Sequence, residues 1–489
     1  MNDEQFLQEE QSLDPADWEL MRQLGHRMVD DMMDYLRTLR ERPVWQATTE
    51  AVREQFNHPL PAQGENPEVI YNDFLQYILP YNKGNIHPRF WSWVQGTGSP
   101  LAMLADMLAS GMNPNVAIGD HAALYVERQV IEWCKQMLGF AAGGSGILVS
   151  GGSVANITCI QVARNAFENG LIRRDGLQSL PGKLLLYASE EAHSCIQKAA
   201  EVAGLGKNGL RLVPVDGACR MNLARLKSMV KADRKAGHIP FCVVATAGTV
   251  NTGAFDPLDD IRDFCRREQL WFHIDGAFGA LAKLVQQYTP VLKALEDADS
   301  LAFDLHKWMY LPYEAGCVLV RDAQIHRSAF ALQPTYLVSH ERGLAAGPDP
   351  ITNYGMELSR SFKALKVWMS LREHGLDKFR QLIRQNIDQV FYLARQIREQ
   401  PQLELLAPVS LNIACFRFHP GGLTEQQLNL LNKEILMELH CRGIAAPSYT
   451  MLKGKYAIRV AHVNHRSRKE DFDALVKGVL EIGREMTAI

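Results

Sequence analysis

Lys307 stands where a lysine is hard to keep. It lies in SLAFDLHKWMYLPYEAGCVLVRD, residues 300–322, between two short apolar runs, Leu301 to Phe303 and Cys317 to Val320, that read as buried strands. The turn between them gathers Asp304, His306, Lys307 and Trp308. Desolvating an ammonium is expensive and lowers its pKa, so a lysine here is expected to be a neutral amine at working pH, able to condense with an aldehyde. Taken alone, a solvated loop lysine would be the better reading. Other stretches of the chain change the balance.

Ser150-Gly151-Gly152-Ser153 follows one strand-like run and opens a helical one. Glycines let backbone amides approach an anion, and the helix N-terminus adds the positive end of its dipole, so a phosphate fits. A plain strand-to-helix turn with a serine cap fits equally well. In WFHID, Asp275 closes an apolar run and is followed by Gly276 and Ala277. A carboxylate there needs a cation, and a protonated ring nitrogen would serve. A metal shared by His273 and Asp275 is the alternative; alternation along the strand is expected to turn the two to opposite faces, which disfavours it. His193, in SEEAHSC, opens another helix, where it can lie flat on an aromatic group, act on a substrate, or simply pack. In HPRFWSWVQGTG, residues 87–98, Trp91 and Trp93 beside glycines suit either a core corner or a pocket wall.

The elements that must position these residues alternate. Ile147 to Val149, Leu184 to Tyr187, Leu212 to Val215, Cys242 to Thr246, Trp271 to Ile274, Leu301 to Phe303 and Val318 to Val320 read as buried strands. Helical segments separate most of them, including Val154 to Phe167, Ser194 to Ala203, Asn222 to Ala236 and Asp259 to Arg267. The pattern predicts an α/β fold with a mostly parallel seven-stranded sheet, helices on both faces, and ligands at the carboxyl ends of the strands. Before it, Asp14-Pro15 reads as the cap of a helix striped by Leu20, Leu24, Met28, Met32 and Leu36. After it, helices at 376–398, 425–440 and 470–485 mix with strands at 413–418 and 456–463 as an α+β lobe. The expected domains are 1–86, an N-terminal helical segment, 87–370, the large ligand-binding domain, and 371–489, the C-terminal lobe.

Composition narrows the classes. With 489 residues, 47% hydrophobic, 22% charged and a formal net charge of -3, the chain gives no reason to expect nucleic acid or an anionic membrane as partner. Its nine cysteines show no CxxC pair, which speaks against a disulfide framework or zinc cluster and for a reducing, cytoplasmic setting. The N-terminal stretch shows no targeting signal. Gly204-Leu205-Gly206-Lys207-Asn208-Gly209 matches GxGxxG but follows a helix and precedes a strand, the reverse of a dinucleotide site.

Taken in order, SGGS, EAHS, AGTVNTGAFDPL, HIDGAFG and DLHKW resemble the pyridoxal phosphate-dependent group II amino acid decarboxylases, and most of all the aromatic L-amino acid decarboxylases. The resemblance runs from about His87 to the C-terminus. It implies the aspartate aminotransferase-like fold type I, pyridoxal 5'-phosphate as cofactor, and a homodimer with active sites at the subunit interface, the N-terminal helices acting as a clasp. It implies decarboxylation of an L-amino acid, with an aromatic one foremost. Lys307 matches the lysine that links covalently to the cofactor, His306 the histidine beside the phosphate, Asp275 the carboxylate on the pyridine nitrogen, and His193 the imidazole stacked on the ring. Gly152 and Ser153 match the phosphate cradle, and Thr249 and Asp304 join the cofactor-binding set. Tyr336, in SAFALQPTYLVSH, matches the tyrosine that returns a proton to the substrate carbon, and Trp93, with Trp91 beside it, falls in the segment lining the substrate pocket.

The chain also departs from that pattern. Asp304 stands where animal aromatic enzymes have Asn, Val250 where many relatives carry a second threonine, and Asp120-His121 where a Ser-Pro pair is usual. Rival readings are a decarboxylase of a non-aromatic amino acid, a decarboxylating aldehyde synthase, a transaminase, and a non-catalytic cofactor-binding or regulatory protein. Tyr336 and His193 argue against the aldehyde synthase, and the intact set of Lys307, Asp275, His193 and Tyr336 argues against the non-catalytic protein.

Overall fold

The computed structural model describes residues 12–332 and 340–487. The chain divides into two compact units, Met1–Lys83 and Gly84–Ile489. In the first, the helix Trp18–Arg37 is capped by Asp17, whose carboxylate accepts from the amides of Glu19 and Leu20. Asp17 thus takes the place expected of Asp14. Of the apolar stripe only Leu24 is buried, while Leu20 is 63% exposed and Met28 37%.

The second unit holds two sheets. Its strands in chain order are β1 (Phe90–Trp91), β2 (Ser145–Val149), β3 (Leu184–Ser189), β4 (Leu210–Val213), β5 (Ile239–Thr246) and β6 (Trp271–Asp275). They continue as β7 (Ser300–Asp304), β8 (Gly316–Val320), β9 (Leu403–Leu405), β10 (Ile413–Phe418), β11 (Ala446–Leu452) and β12 (Lys455–Ala461). The seven-stranded sheet runs β2-β8-β7-β6-β5-β3-β4. Only β8 is antiparallel to its neighbours, so β2 points the same way as the other five. These strands are nearly continuous apolar runs because helices cover both faces, and their buried side chains divide between one large core and a smaller one. All seven fall where alternation predicts them, shifted by at most three residues at their starts and ends.

The five-stranded sheet runs β1-β11-β12-β10-β9 and has its own core. β1 pairs in parallel with β11, so Phe90 and Trp91 belong to the sheet of the C-terminal lobe. Between the sheets lies the helix Ala364–Glu399, which breaks its helical dihedrals at Gly375, with φ +67°. The helix expected from Leu376 is therefore only its second half. A helix at Pro100–Met112 completes the large part.

Candidate functional site

Three strands of the large sheet end side by side in polar residues. Thr246 closes β5, Asp275 closes β6 and Asp304 closes β7, and Thr246 pairs in register with Asp275. Carboxyl ends of parallel strands leave a crevice in front of them. Here it is a cavity of about 390 Å³ whose walls include Gly152, Ser153, His193, Asp275, Asp304, His306, Lys307 and Trp93.

At one end is the glycine turn. Gly152 opens the 15-residue helix Gly152–Ala166, and a Cβ on Gly152 would sit 2.8 Å from Asp304 Oδ2. The start of β8 presses on the same turn, since a Cβ on Gly316 would lie 2.6 Å from Gly151 Cα. Only side-chain-free residues fit there, and they leave the helix N-terminus and the Ser153 hydroxyl facing the cavity.

Lys307 belongs to the single turn Leu305–Trp308 after β7, and the glycine-rich segment 96–98 is packed tightly on it: a Cβ on Gly96 would run into the His306 carbonyl. The lysine side chain is 19% exposed, and its Nζ lies 2.8 Å from Asp304 Oδ2. Burial pulls its pKa down, but the charge and hydrogen bond of Asp304, then Asp275, outweigh burial and hold it above the ordinary lysine value. This reverses the neutral amine expected from burial alone. The expectation failed because it left out the carboxylate three residues earlier.

Asp275 is 2% exposed, and its Oδ1 accepts from the Ala277 amide at 3.1 Å. Burial raises its pKa, opposed by the Lys307 charge and the Ala277 amide. Its cation is still wanting. His193 Nδ1 accepts from the Cys195 amide at 3.2 Å, which leaves Nε2 for a ligand. Removal from water lowers its pKa, against the pull of Asp275. His306 Nδ1 is 3.1 Å from the Ala315 carbonyl, and its ring lies 4.5 Å from that of Tyr313, a cavity residue the sequence did not single out.

Several expectations change. Trp91 is not in the cavity wall: it is 1% exposed, stacked on Phe472 at 4.7 Å, and donates to Ser467 in the core of the lobe. Two residues along, Trp93 has φ +54°, is 54% exposed and does line the cavity. The corner and the wall are thus the same segment. Thr249 turns inward, with its hydroxyl 3.0 Å from that of Thr252 and accepting from the Ala254 amide, because it closes its own turn. Thr246, three residues earlier, faces the cavity with a buried hydroxyl that has no partner among the described residues. Its place at a strand end was the readable signal. His273 and Asp275 share a face after all, being two residues apart, and both meet Asn156. Among the described residues no group of metal-ligating side chains forms. Asp120 accepts from the Tyr125 hydroxyl, and neither it nor His121 lines the cavity. Val250 does line it. Tyr336 lies outside the described residues.

A residue the sequence reading passed over braces the wall. Arg459, 3% exposed in β12, donates to the carbonyls of Trp93 and Asn251 at 3.2 and 3.1 Å, to that of Val250, and to Ser448 Oγ. A lone arginine in the apolar run KYAIRVA was its signal.

The family model described as the pyridoxal-dependent decarboxylase conserved domain matches residues 50–419. The chain belongs to this family. An aromatic-L-amino-acid decarboxylase of Bacillus atrophaeus is 34% identical to this decarboxylase over 96% of each chain. Tyrosine decarboxylase 4 of Petroselinum crispum is 29% identical over 92% of this chain and 90% of its own. The crystal structure of Oryza sativa TDC with PLP and tryptamine superposes with a TM-score of 0.88 at 24% identity, covering 97% of this chain and all of that one. The decarboxylase has fold type I and is a pyridoxal phosphate-dependent carboxy-lyase acting on an amino acid.

The residues of the cavity fit that cofactor. The glycine turn offers amides where a side chain would clash, Asp275 is a buried carboxylate in want of a cation, the Thr246 hydroxyl and Asp304 Oδ1 are buried without partners, and Lys307 is the amine. When bound, pyridoxal phosphate supplies an aldehyde that joins amines and an electron-poor ring that accepts the electrons freed as carbon dioxide leaves.

Proposed function

We propose that this decarboxylase converts an aromatic L-amino acid to the corresponding amine and carbon dioxide. The observation that carries the reading is one cavity in which Lys307, Asp275 and the glycine turn meet an apolar wall of Trp93, Val94, Val250 and Phe278. The 34% identity to an aromatic-L-amino-acid decarboxylase supports it.

In this reading each residue has one task. The amides of the glycine turn and the Ser153 hydroxyl hold the phosphate, and His306 lies beside them. Asp275 would hold the cofactor's ring nitrogen protonated, and His193 would pack on the ring and orient it. Lys307 would supply the amine that holds the cofactor's aldehyde. Tyr336, with His193, returns the proton to the α-carbon. Trp93 bears on the substrate side chain.

The working unit is a homodimer with active sites at its interface. The exposed apolar face of Trp18–Arg37, with Trp18 at 67% and Leu20 at 63%, supports a clasp onto a second copy. Residues 87–370 carry the cofactor and 371–489 form the lobe behind it. Nine cysteines without a disulfide support a cytoplasmic setting, and no described helix is long and apolar enough to cross a membrane.

The test is product analysis by mass spectrometry after the holoenzyme meets single L-amino acids. Amines from tryptophan, tyrosine or dihydroxyphenylalanine are the expected products. Amines from non-aromatic substrates alone would overturn the substrate class, and an aldehyde with ammonia would overturn the amine outcome.

A further inference from the structure

Behind Asp275 runs a buried chain of polar groups that the reaction does not use directly. Asn156 and His273 are both fully buried, and the His273 ring links Asn156 on one side to Ser300 on the other. Nε2 of the ring is 2.8 Å from Asn156 Oδ1, and Nδ1 is 2.9 Å from Ser300 Oγ and 3.2 Å from the Ser300 carbonyl. Ser300 Oγ accepts from Trp271 Nε1 at 2.8 Å.

The direction of this chain follows from its ends. The Gly152 carbonyl, 2.8 Å from the Asn156 amide, can only accept, so the nitrogen of that amide must face it. The Asn156 oxygen then faces His273 Nε2 and needs a proton from it. Nε2 must carry the hydrogen, and Nδ1 must accept from the Ser300 hydroxyl, whose oxygen is free to accept from Trp271. The Ser300 carbonyl, read alone, would suit the opposite tautomer; the two ends together decide against it. A charged ring is excluded too, because burial brings its pKa down to about 4. The amide nitrogen of Asn156, fixed in this way, also reaches Cys195 Sγ at 3.6 Å, and the amide acts on Asp275 as a hydrogen-bonding group that lowers its pKa.

We infer that His273 is a positioning residue for the cofactor site: locked as the neutral Nε2–H tautomer between Ser300 and Asn156, it fixes the Asn156 amide with an N–H toward Asp275. The amide thereby favours the ionised carboxylate, against the burial that raises its pKa, and helps to aim it. The inference deepens, and rests on, the reading of Asp275 as partner of the ring nitrogen.

The experiment is nitrogen NMR of the holoenzyme labelled with [15N]histidine, with His273 assigned by the signal lost in His273→Gln. The expected pattern is a protonated Nε2 and an unprotonated Nδ1 that stays unchanged from about pH 6 to pH 8. An Nδ1–H ring, or an imidazolium in that range, would overturn the inference. Cofactor affinity, read by equilibrium dialysis, gives a second arm. His273→Gln, which keeps an amide donor near the place of Nε2, is expected to bind within about threefold of wild type, and His273→Leu about tenfold more weakly at a matched melting temperature. Equal binding by both would overturn the inference. Undiminished binding by Asp275→Asn would instead overturn the reading of Asp275 and leave the tautomer standing.

Discussion

Lys307 Nζ lies 2.8 Å from Asp304 Oδ2, one turn earlier in the chain, and the pair sits at the glycine-turn end of the cavity. The amine proposed to take hold of an aldehyde is therefore stored as an ammonium. Asp304 decides this, since burial acts the other way. The pair stabilises the fold fully below the ordinary lysine pKa, and that contribution is lost as pH rises through the higher folded value.

Replacing Asp304 by Asn is expected to lower the Lys307 pKa, because burial then acts unopposed by its strongest partner. Labelling of the cofactor-free protein with an amine reagent across pH, quantified on the Lys307 peptide, reads this directly. The labelling midpoint should fall by about one unit or more in Asp304→Asn. An unchanged midpoint would show that another group holds the ammonium.

Asp275 trades stability for binding. Its folded pKa is raised by burial, so its contribution to stability is present below the ordinary carboxylate pKa and is lost as pH rises through the raised folded value. Asp275→Asn should stabilise the cofactor-free protein at neutral pH by about 1 kcal/mol while weakening cofactor binding and abolishing most turnover. Melting curves with and without pyridoxal phosphate check both halves. The cofactor-induced rise in melting temperature should shrink in the variant even as its cofactor-free value rises.

The large sheet was legible in the sequence because doubly covered strands are nearly pure apolar runs, as in Leu184 to Tyr187 and Cys242 to Thr246. The glycine turn, Asp275 and Lys307 could be read because each is costly where it stands. β11 was not read: Pro447, Ser448 and Thr450 interrupt it, and those polar groups are buried by partners far away in sequence. The fates of Trp91 and Trp93 were equally closed to a local reading. What separates them is the positive φ of Trp93 and the pairing of Trp91 with Pro447 in β11, some 350 residues on. The inward turn of Thr249 likewise depends on Gly253 and Ala254 closing a loop on it.

Arg459 joins the carbonyls of Trp93 and Val250 in the cavity wall, and of Asn251 next to them, to β12 through one planar fork. Burial lowers its pKa to about 10, which leaves it charged at neutral pH. Arg459→Met removes the donor from buried carbonyls, at about 1–3 kcal/mol for each left unpaired, and frees the Trp93 and Val250 segments. The expected result is a lower melting temperature and a KM raised by about tenfold, with kcat less affected. Arg459→Lys should fail to restore KM, since an ammonium cannot span the carbonyls.

Trp91 and Trp93 give the sharpest comparison, because the same substitution at two nearby sites should act on different quantities. Trp91 is fully enclosed between Phe472 and the lobe core, so Trp91→Ala opens a large void and should destabilise the fold by about 3–5 kcal/mol. Its effect on substrate choice should be small at temperatures where the protein stays folded. Trp93 is half exposed on the cavity wall, so Trp93→Ala should change stability by less than about 1 kcal/mol. It should raise KM for aromatic substrates several-fold and narrow their advantage over smaller amino acids. Denaturant unfolding and steady-state kinetics on the two proteins separate the effects, and a Trp93→Ala protein with unchanged KM values would remove this ring from the substrate pocket.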